Sequence, residues 1–395
     1  MIKREIETKL IDYSRKFPII LLTGPRQSGK TTLCRHIFKN KPYILLEDPE
    51  QLDYALSDPR GLVDEYKEGA IFDEIQKAPK LLSYLMGEAD RRKQYGRYIL
   101  TGSQNILLLH KVQQSLAGRV GVLELLPLSI REIDLISKNI GTDEYIFKGG
   151  YPRIWDQDLD PAEEMRSYLK TYLERDVRDI VNVRNLNLFQ KFIKSCASRV
   201  GGLLELSSIG NDIGVSRTSI SAWLSILEAG KIVYLLPPYW NNLNKRLVKS
   251  PKLYFYDTGL LCYLLGINGA ALLKRDPLYG RIFENFVVGE LLKFYFNRGL
   301  DAPLSHFRDR MEHEVDILIE VQRNLINFEV KSAKTITHDW IKNLKYLTKI
   351  SGNKVLLEAI VYGGEEETQR NGVKITTVRK LNELLSGFVK QGEKI

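Results

Sequence analysis

Gly24-Pro25-Arg26-Gln27-Ser28-Gly29-Lys30-Thr31 is the stretch on which the reading of this chain turns. Its spacing is G-x-x-x-x-G-K-[ST], and its flanks suit that pattern. The apolar run Ile19-Ile20-Leu21-Leu22 predicts a buried strand leading in, and Thr31 to about Phe38 predicts a helix leading out. Strand, glycine loop and helix N-terminus form a nest of backbone N–H groups suited to phosphate oxygens. Gly24, Pro25, Arg26, Gln27, Ser28, Gly29, Lys30, Thr31 and Thr32 are therefore candidate ATP-binding positions. Lys30 suits the β- and γ-phosphates, and the Thr31 hydroxyl suits Mg²⁺. The alternative is a glycine-rich loop that merely precedes a core helix.

Tyr43-Ile44-Leu45-Leu46 and Ala70-Ile71-Phe72 predict two further parallel strands, the second running into Asp73-Glu74. Two acids at a strand end about forty residues after a phosphate loop suit metal binding by Asp73 and polarisation of the attacking water by Glu74. Arg97 to Thr101 predicts the next strand. Beyond it Ser103 is a candidate γ-phosphate sensor, with Thr101 and Asn105 as rivals. Ser103 equally suits the N-cap of a helix beginning at Ile106. Arg119 opens the strand-like run Val120 to Leu125, and it reads either as an arginine finger or as a surface arginine after a helix.

Phe72-Asp73-Glu74-Ile75-Gln76, Leu100-Thr101-Gly102-Ser103, Ser115-Leu116-Ala117-Gly118-Arg119, Pro127-Leu128-Ser129 and Gly149-Gly150-Tyr151-Pro152 follow the phosphate loop in order. The string resembles that of prokaryotic AAA-type "predicted ATPase" proteins with a C-terminal domain of uncharacterised function. The likeness covers nearly the whole chain. It implies an α/β fold with a P-loop AAA-type parallel sheet in residues 1–126, and it favours a phosphate-facing Arg119.

The chain has 395 residues, which implies two to four domains. Its hydrophobic share of 44% and charged share of 27% are those of a soluble globular protein. The net charge of +9 suits an anionic partner, though the basic residues are spread along the chain. Cys34, Cys196 and Cys262 form no C-x-x-C pair, which argues for a reducing compartment and against a zinc site. The N-terminus lacks the apolar core of a signal peptide, and the run Leu260 to Ile267 is too short to span a bilayer. The expectation is a cytoplasmic protein with no membrane partner.

Residues 127–183 turn helical and polar and suit a helical lid; Met165, Tyr168, Leu169, Tyr172 and Leu173 recur at helical spacing as core positions. Residues 184–249 predict a winged helix-turn-helix. Leu206 begins one helix, Gly214 breaks the turn, Ser216 caps a second helix ending at Gly230, and Lys231 to Leu235 supplies a wing strand. That second helix offers only Arg217 as a cation, which favours packing or a protein contact over DNA reading. Asn242, Lys245, Arg246 and Lys249 keep DNA open as a partner.

Residues 250–395 predict an α/β domain. Glu314 to Ile319 and Ile326 to Lys331 read as a hairpin, and Asp316 with Glu329-x-Lys331 has the spacing of the PD-(D/E)xK nuclease core, a restriction-endonuclease-like fold. Glu329 and Lys331 share a strand face, so Asp316 and Glu329 can hold Mg²⁺ while Lys331 orients water or stabilises phosphate. Glu284 matches the helical acid that archaeal Holliday-junction resolvases and their relatives place beside this metal; Glu290 is its rival. The competing reading is an ion-pair cluster in an interaction module. His306, Arg308 and His313 read as solvated loop residues. An ATPase acting on nucleic acid and a signalling or scaffold ATPase with a protein partner are the two functional expectations. Oligomeric state stays open.

Overall fold

The computed structural model describes residues 2–92, 94–102, 118–138, 140–172, 186–239, 248–351 and 354–392. A five-stranded, all-parallel sheet forms the first layer: β1 (Ile19–Thr23), β2 (Tyr43–Leu45), β3 (Ala70–Asp73), β4 (Tyr98–Gly102) and β5 (Val120–Glu124), in the order β2-β3-β4-β1-β5. Every residue of β1 is buried, as a central strand covered on both faces must be. Its apolar side chains divide between two cores, with Ile19 and Leu21 on one face and Ile20 and Leu22 on the other. One strand, β4, separates the phosphate-loop strand from the strand bearing Asp73. Parallel pairing brings the carboxyl ends of β1, β3 and β4 to one sheet edge, where α/β proteins bind ligands.

Short helices Ile130–Asp134, Thr142–Lys148, Pro152–Asp156 and Pro161–Tyr172 follow the sheet. Met165, Tyr168, Leu169 and Tyr172 are buried core residues; Leu173 lies outside the described residues. Helix Leu186–Ala197, helix Leu206–Ile213 and helix Arg217–Ala229 come next. Gly214, at φ 72°, ends the second of these, and Ser216 caps the third by accepting from Ser219 N at 3.2 Å. An antiparallel ribbon of β6 (Val233–Leu236) and β7 (Lys252–Phe255) closes the segment, so the expected boundary at 249 falls inside a paired ribbon.

The last third holds a separate six-stranded mixed sheet of β8 (Leu304–Arg308), β9 (Glu314–Val321), β10 (Asn324–Lys331), β11 (Val355–Tyr362), β12 (Thr368–Arg370) and β13 (Val373–Thr376), ordered β12-β13-β11-β10-β9-β8. The β9–β10 hairpin turns through Gln322 and Arg323, both at positive φ, as a tight two-residue turn demands. An 18-residue helix, Tyr279–Phe296, packs on β10 and β7 and is called the long helix below. A single apolar core runs from Leu126 through the helical segments to the mixed sheet, so neither 183 nor 249 divides it.

His306, expected in a solvated loop, is instead fully buried on β8, because the strand extends to Arg308. Burial, then the Lys252 charge, pushes its pKa down to about 4, so the ring is neutral. Arg308 sits on the same strand and pairs with Glu314 at 3.1 Å. His313 stacks on Tyr346 with centroids 3.7 Å apart. Cys34, Cys196 and Cys262 are buried free thiols. Among the described residues no helix is long and apolar enough to cross a membrane.

Candidate functional site

Two sites emerge, one on each sheet. At the first, Gly24 (φ 145°) turns the chain out of β1, where an added Cβ would lie 2.1 Å from Leu125 O. Gly29 (φ 95°) precedes helix Lys30–Ile37, leaving that helix's first N–H groups facing the loop. Lys30 is buried, and its Nζ donates to Gly24 O (3.1 Å) and Pro25 O (2.8 Å), both within the loop. Burial holds its pKa below the ordinary lysine value, opposed by Glu74 and Asp73. Arg26 pairs with Glu47 at 3.9 Å.

Asp73, at the end of β3, accepts through Oδ2 from Thr31 Oγ1 and from Tyr43 OH, both at 2.7 Å. Its Oδ1 accepts from Thr101 Oγ1. Glu74 adopts the left-handed conformation at φ 57°, which swings its carboxylate away from the strand line and toward Gln76. Burial raises the Glu74 pKa, with Lys30 and Arg26 pulling the other way. A cavity of about 540 Å³ separates Arg26, Lys30 and Thr32 from Pro152, Arg153 and Asp156 on the following helical segment. Its volume suits a nucleotide. The buried Ser28 Oγ lacks a hydrogen-bond partner within the chain. The hydroxyl–carboxylate pair, the loop lysine and the helix N-terminus fit Mg²⁺-ATP, and a bound Mg²⁺ neutralises charge on the transferred phosphoryl group.

Ser103 and Asn105 lie outside the described residues, so of the three sensor candidates only Thr101 is placed. Arg119 does not approach the loop of its own chain. Its carbonyl accepts from Ile19 N at the start of β1, about 16 Å of strand from Gly24, and its guanidinium pairs with Asp90 at 2.7 Å. Sequence reasoning missed Arg4. Its buried guanidinium donates to Ser28 O (2.8 Å), Leu126 O (2.6 Å) and Glu132 Oε1 (3.0 Å), tying the N-terminus to the phosphate loop. No local pattern marks Arg4, since its partners are remote in sequence.

At the second site, Asp316 on β9, Glu329 and Lys331 on β10 and Glu284 on the long helix come together. Asp316 Oδ2 accepts from Val330 N (2.9 Å), and Lys331 donates to Glu329 Oε1 (2.6 Å). Lys252 of β7, which the spacing argument passed over, is buried among them. Its Nζ lies 3.0 Å from Glu284, 2.5 Å from Glu314 and 3.5 Å from Asp316. Tyr254 OH adds a 2.5 Å bond to Glu284. Burial and then Asp316 push Glu284 up to about 7 and Glu329 up to about 8. Burial alone would lower Lys331, but Glu329 and Asp316 outweigh it and hold the ammonium above its ordinary value. Among the described residues no group of three or more His, Cys, Asp or Glu side chains is arranged to hold a metal ion. With an ammonium among them, the acids of this set do not fit a divalent cation. Glu290, the rival to Glu284, faces elsewhere: it accepts from Ile130 N (3.1 Å), Tyr145 OH (3.0 Å) and Lys293 (2.9 Å).

The parallel sheet and its phosphate-loop edge define the class, a P-loop ATPase of the AAA type; residues 16–134 match the AAA domain family. Residues 140–271 and 279–381 match two domains of unknown function, DUF8612 and DUF4143. The chain is 30% identical over 336 residues to the uncharacterized protein Rv2008c of Mycobacterium tuberculosis and to Mb2031c of Mycobacterium bovis. Each alignment covers 84% of this chain and 74% of the relative. The chain belongs to the family of these proteins. Among solved structures it is similar to the Walker-type ATPase paby2304 of Pyrococcus abyssi, at 16% identity and TM-score 0.44, over 67% of this chain and 96% of that one. It is also similar to Thermotoga maritima RuvB, at 19% identity and TM-score 0.32, over 60% and 90%.

Proposed function

We propose that this ATPase passes its nucleotide state along the long helix to the mixed-sheet module, which acts on or binds nucleic acid. In the ATP site, Lys30 and the loop N–H groups hold the phosphates, Thr31 and Asp73 hold Mg²⁺, and Glu74 polarises the attacking water. Thr101, bonded to Asp73, is the sensor candidate this geometry supports. A phosphate role for Arg119 requires the nucleotide of a neighbouring copy. Residues 127–183 serve as the lid over the cavity, and the three helices with the β6–β7 ribbon as a winged helix that packs rather than reads DNA.

The observation that carries the coupling is the long helix itself. It bears Glu284 in the second site, Glu290 hydrogen-bonded to Ile130 just beyond the parallel sheet, and Lys293 donating to Leu128 O at 3.0 Å. A helix is stiff over this length, so a shift at one end reaches the other. Hydrogen exchange of Tyr279–Phe296 should differ between nucleotide-free protein and ATP-bound Glu74→Gln, and should not respond to ATP in Lys30→Ala. Identical exchange in all states would sink the coupling.

The nuclease-like reading of residues 250–395 draws on Asp316, Glu329 and Lys331 converging from adjacent strands. Cleavage of branched, single-stranded and duplex DNA with Mg²⁺ or Mn²⁺, lost in Asp316→Ala and Lys331→Ala, supports an active nuclease. Inert wild-type protein selects the second reading, a module that binds a protein partner and cuts nothing. The buried Lys252 among the carboxylates favours that second reading.

A further inference from the structure

The cluster on the mixed sheet has more acid than it needs for structure. Four carboxylates, Glu284, Glu314, Asp316 and Glu329, surround the buried Lys252, while Lys331 and Arg308 balance Glu329 and Glu314 from the flanks. Glu329 is 6% exposed, and its Oε2 has no hydrogen-bond partner. A purely structural ion-pair cluster does not leave such an oxygen idle, because an unsatisfied buried acceptor costs about 1–3 kcal/mol. An idle carboxylate oxygen beside two further acids is a ligand without its cation.

Lys252 explains the vacancy in that role. Its ammonium stands 2.5–3.5 Å from three of the acids, the spacing of an ion pair and wider than the about 2.0–2.1 Å of Mg²⁺–oxygen bonds. The lysine arrives from β7, a strand of the ribbon and not of the mixed sheet that carries Asp316 and Glu329. The cation is therefore delivered by a different structural unit from the one that supplies the strand acids.

We propose that Lys252 is a tethered cation closing a divalent-metal site formed by Glu284, Asp316 and Glu329, with Glu314 anchoring the ammonium. Metal enters when the ribbon withdraws Lys252. The site binds Mg²⁺ or Mn²⁺ only then, whatever chemistry follows. The proposal rests on the nuclease-like reading for its ligand set, but metal binding and DNA cleavage are read separately, so either can fail alone.

The test is Mn²⁺ binding by electron paramagnetic resonance on the full-length chain without nucleotide. Lys252→Met and Lys252→Gln should each take up about one Mn²⁺ more than wild type, with affinity raised about tenfold or beyond. Lys252→Arg should not, since it keeps the cation. Adding Asp316→Asn to Lys252→Met should remove the gain; any Mn²⁺ at Thr31 and Asp73 is common to all variants and cancels. Circular dichroism checks that the variants are folded. Two results overturn the proposal: wild-type Mn²⁺ binding that Asp316→Asn abolishes, or folded Lys252 variants that gain none. The first of these needs no Lys252 variant and stands even if both fail to fold.

Discussion

Asn297, just past the end of the long helix, donates through Nδ2 to Glu5 Oε2 at 3.2 Å. Glu5 is the neighbour of Arg4, whose guanidinium holds the Ser28 carbonyl inside the phosphate loop. Two residues 292 positions apart thus join the helix of the second site to the loop of the first. Burial, then the Glu132 charge, raises the Glu5 pKa, while Arg131 and Asn297 oppose it. The junction is sensitive to any change in these side chains.

Lys30→Ala should abolish measurable ATP binding, because the loop then offers no positive charge to the γ-phosphate. Glu74→Gln should bind ATP within a few-fold of wild type yet hydrolyse it about 10²–10⁴ times more slowly, the usual contribution of a general base. Nucleotide binding by fluorescence and phosphate release measured side by side separate the two effects.

Arg4→Ala leaves Glu132, fully buried, without its ion-pair partner and frees two loop-proximal carbonyls. A loss of about 3–5 kcal/mol is expected for the broken buried pair. Urea unfolding followed by tryptophan fluorescence checks the stability. ATP affinity should fall with it, since the Ser28 carbonyl loses its anchor.

Glu290→Ala strands the Lys293 ammonium, which then keeps only Leu128 O and Tyr145 OH as partners. Its cost should again be about 3–5 kcal/mol, since a buried charge is left uncompensated. DNA cleavage or metal binding should change little beyond the loss of folded protein, because Glu290 lies outside the Asp316 cluster. A metal-binding defect without destabilisation would contradict that placement.

Stability of the mixed-sheet module should fall as pH rises. Burial and neighbouring acids lift Glu284 to about 7 and Glu329 to about 8 in the folded state, above the ordinary value of 4.5. The folded protein therefore holds more protons than the unfolded chain between those limits, and that stabilisation is lost as pH climbs through about 7–8. Thermal melts should show a lower midpoint at about pH 8.5 than at about pH 6, and Glu329→Gln should flatten the difference.

Much of the ATP site was legible in sequence because its parts are local. Gly24 to Thr31 lies on one loop, and Asp73-Glu74 on one strand end. The strand that joins them in space, β4, was also readable as Arg97 to Thr101. Lys252 was not legible. It reads as the first residue of a short apolar strand, and nothing within ten positions announces three acids from two other elements. His306 was misread for the same reason: its loop-like neighbours conceal a strand that buries it.

Local spacing by itself determined the phosphate loop, its acid partners and the hairpin carrying Asp316, Glu329 and Lys331, because each depends on backbone period and side-chain chemistry over a few residues. Only the tertiary structure decided that Arg119 faces away from its own nucleotide, that Arg4 props the loop and that Lys252 sits among the acids. Those outcomes depend on strand order and on which distant surfaces pack together. Burial then sets the electrostatics, since removing water makes each unpaired charge costly and forces every acid in the second site to share a lysine or hold a proton.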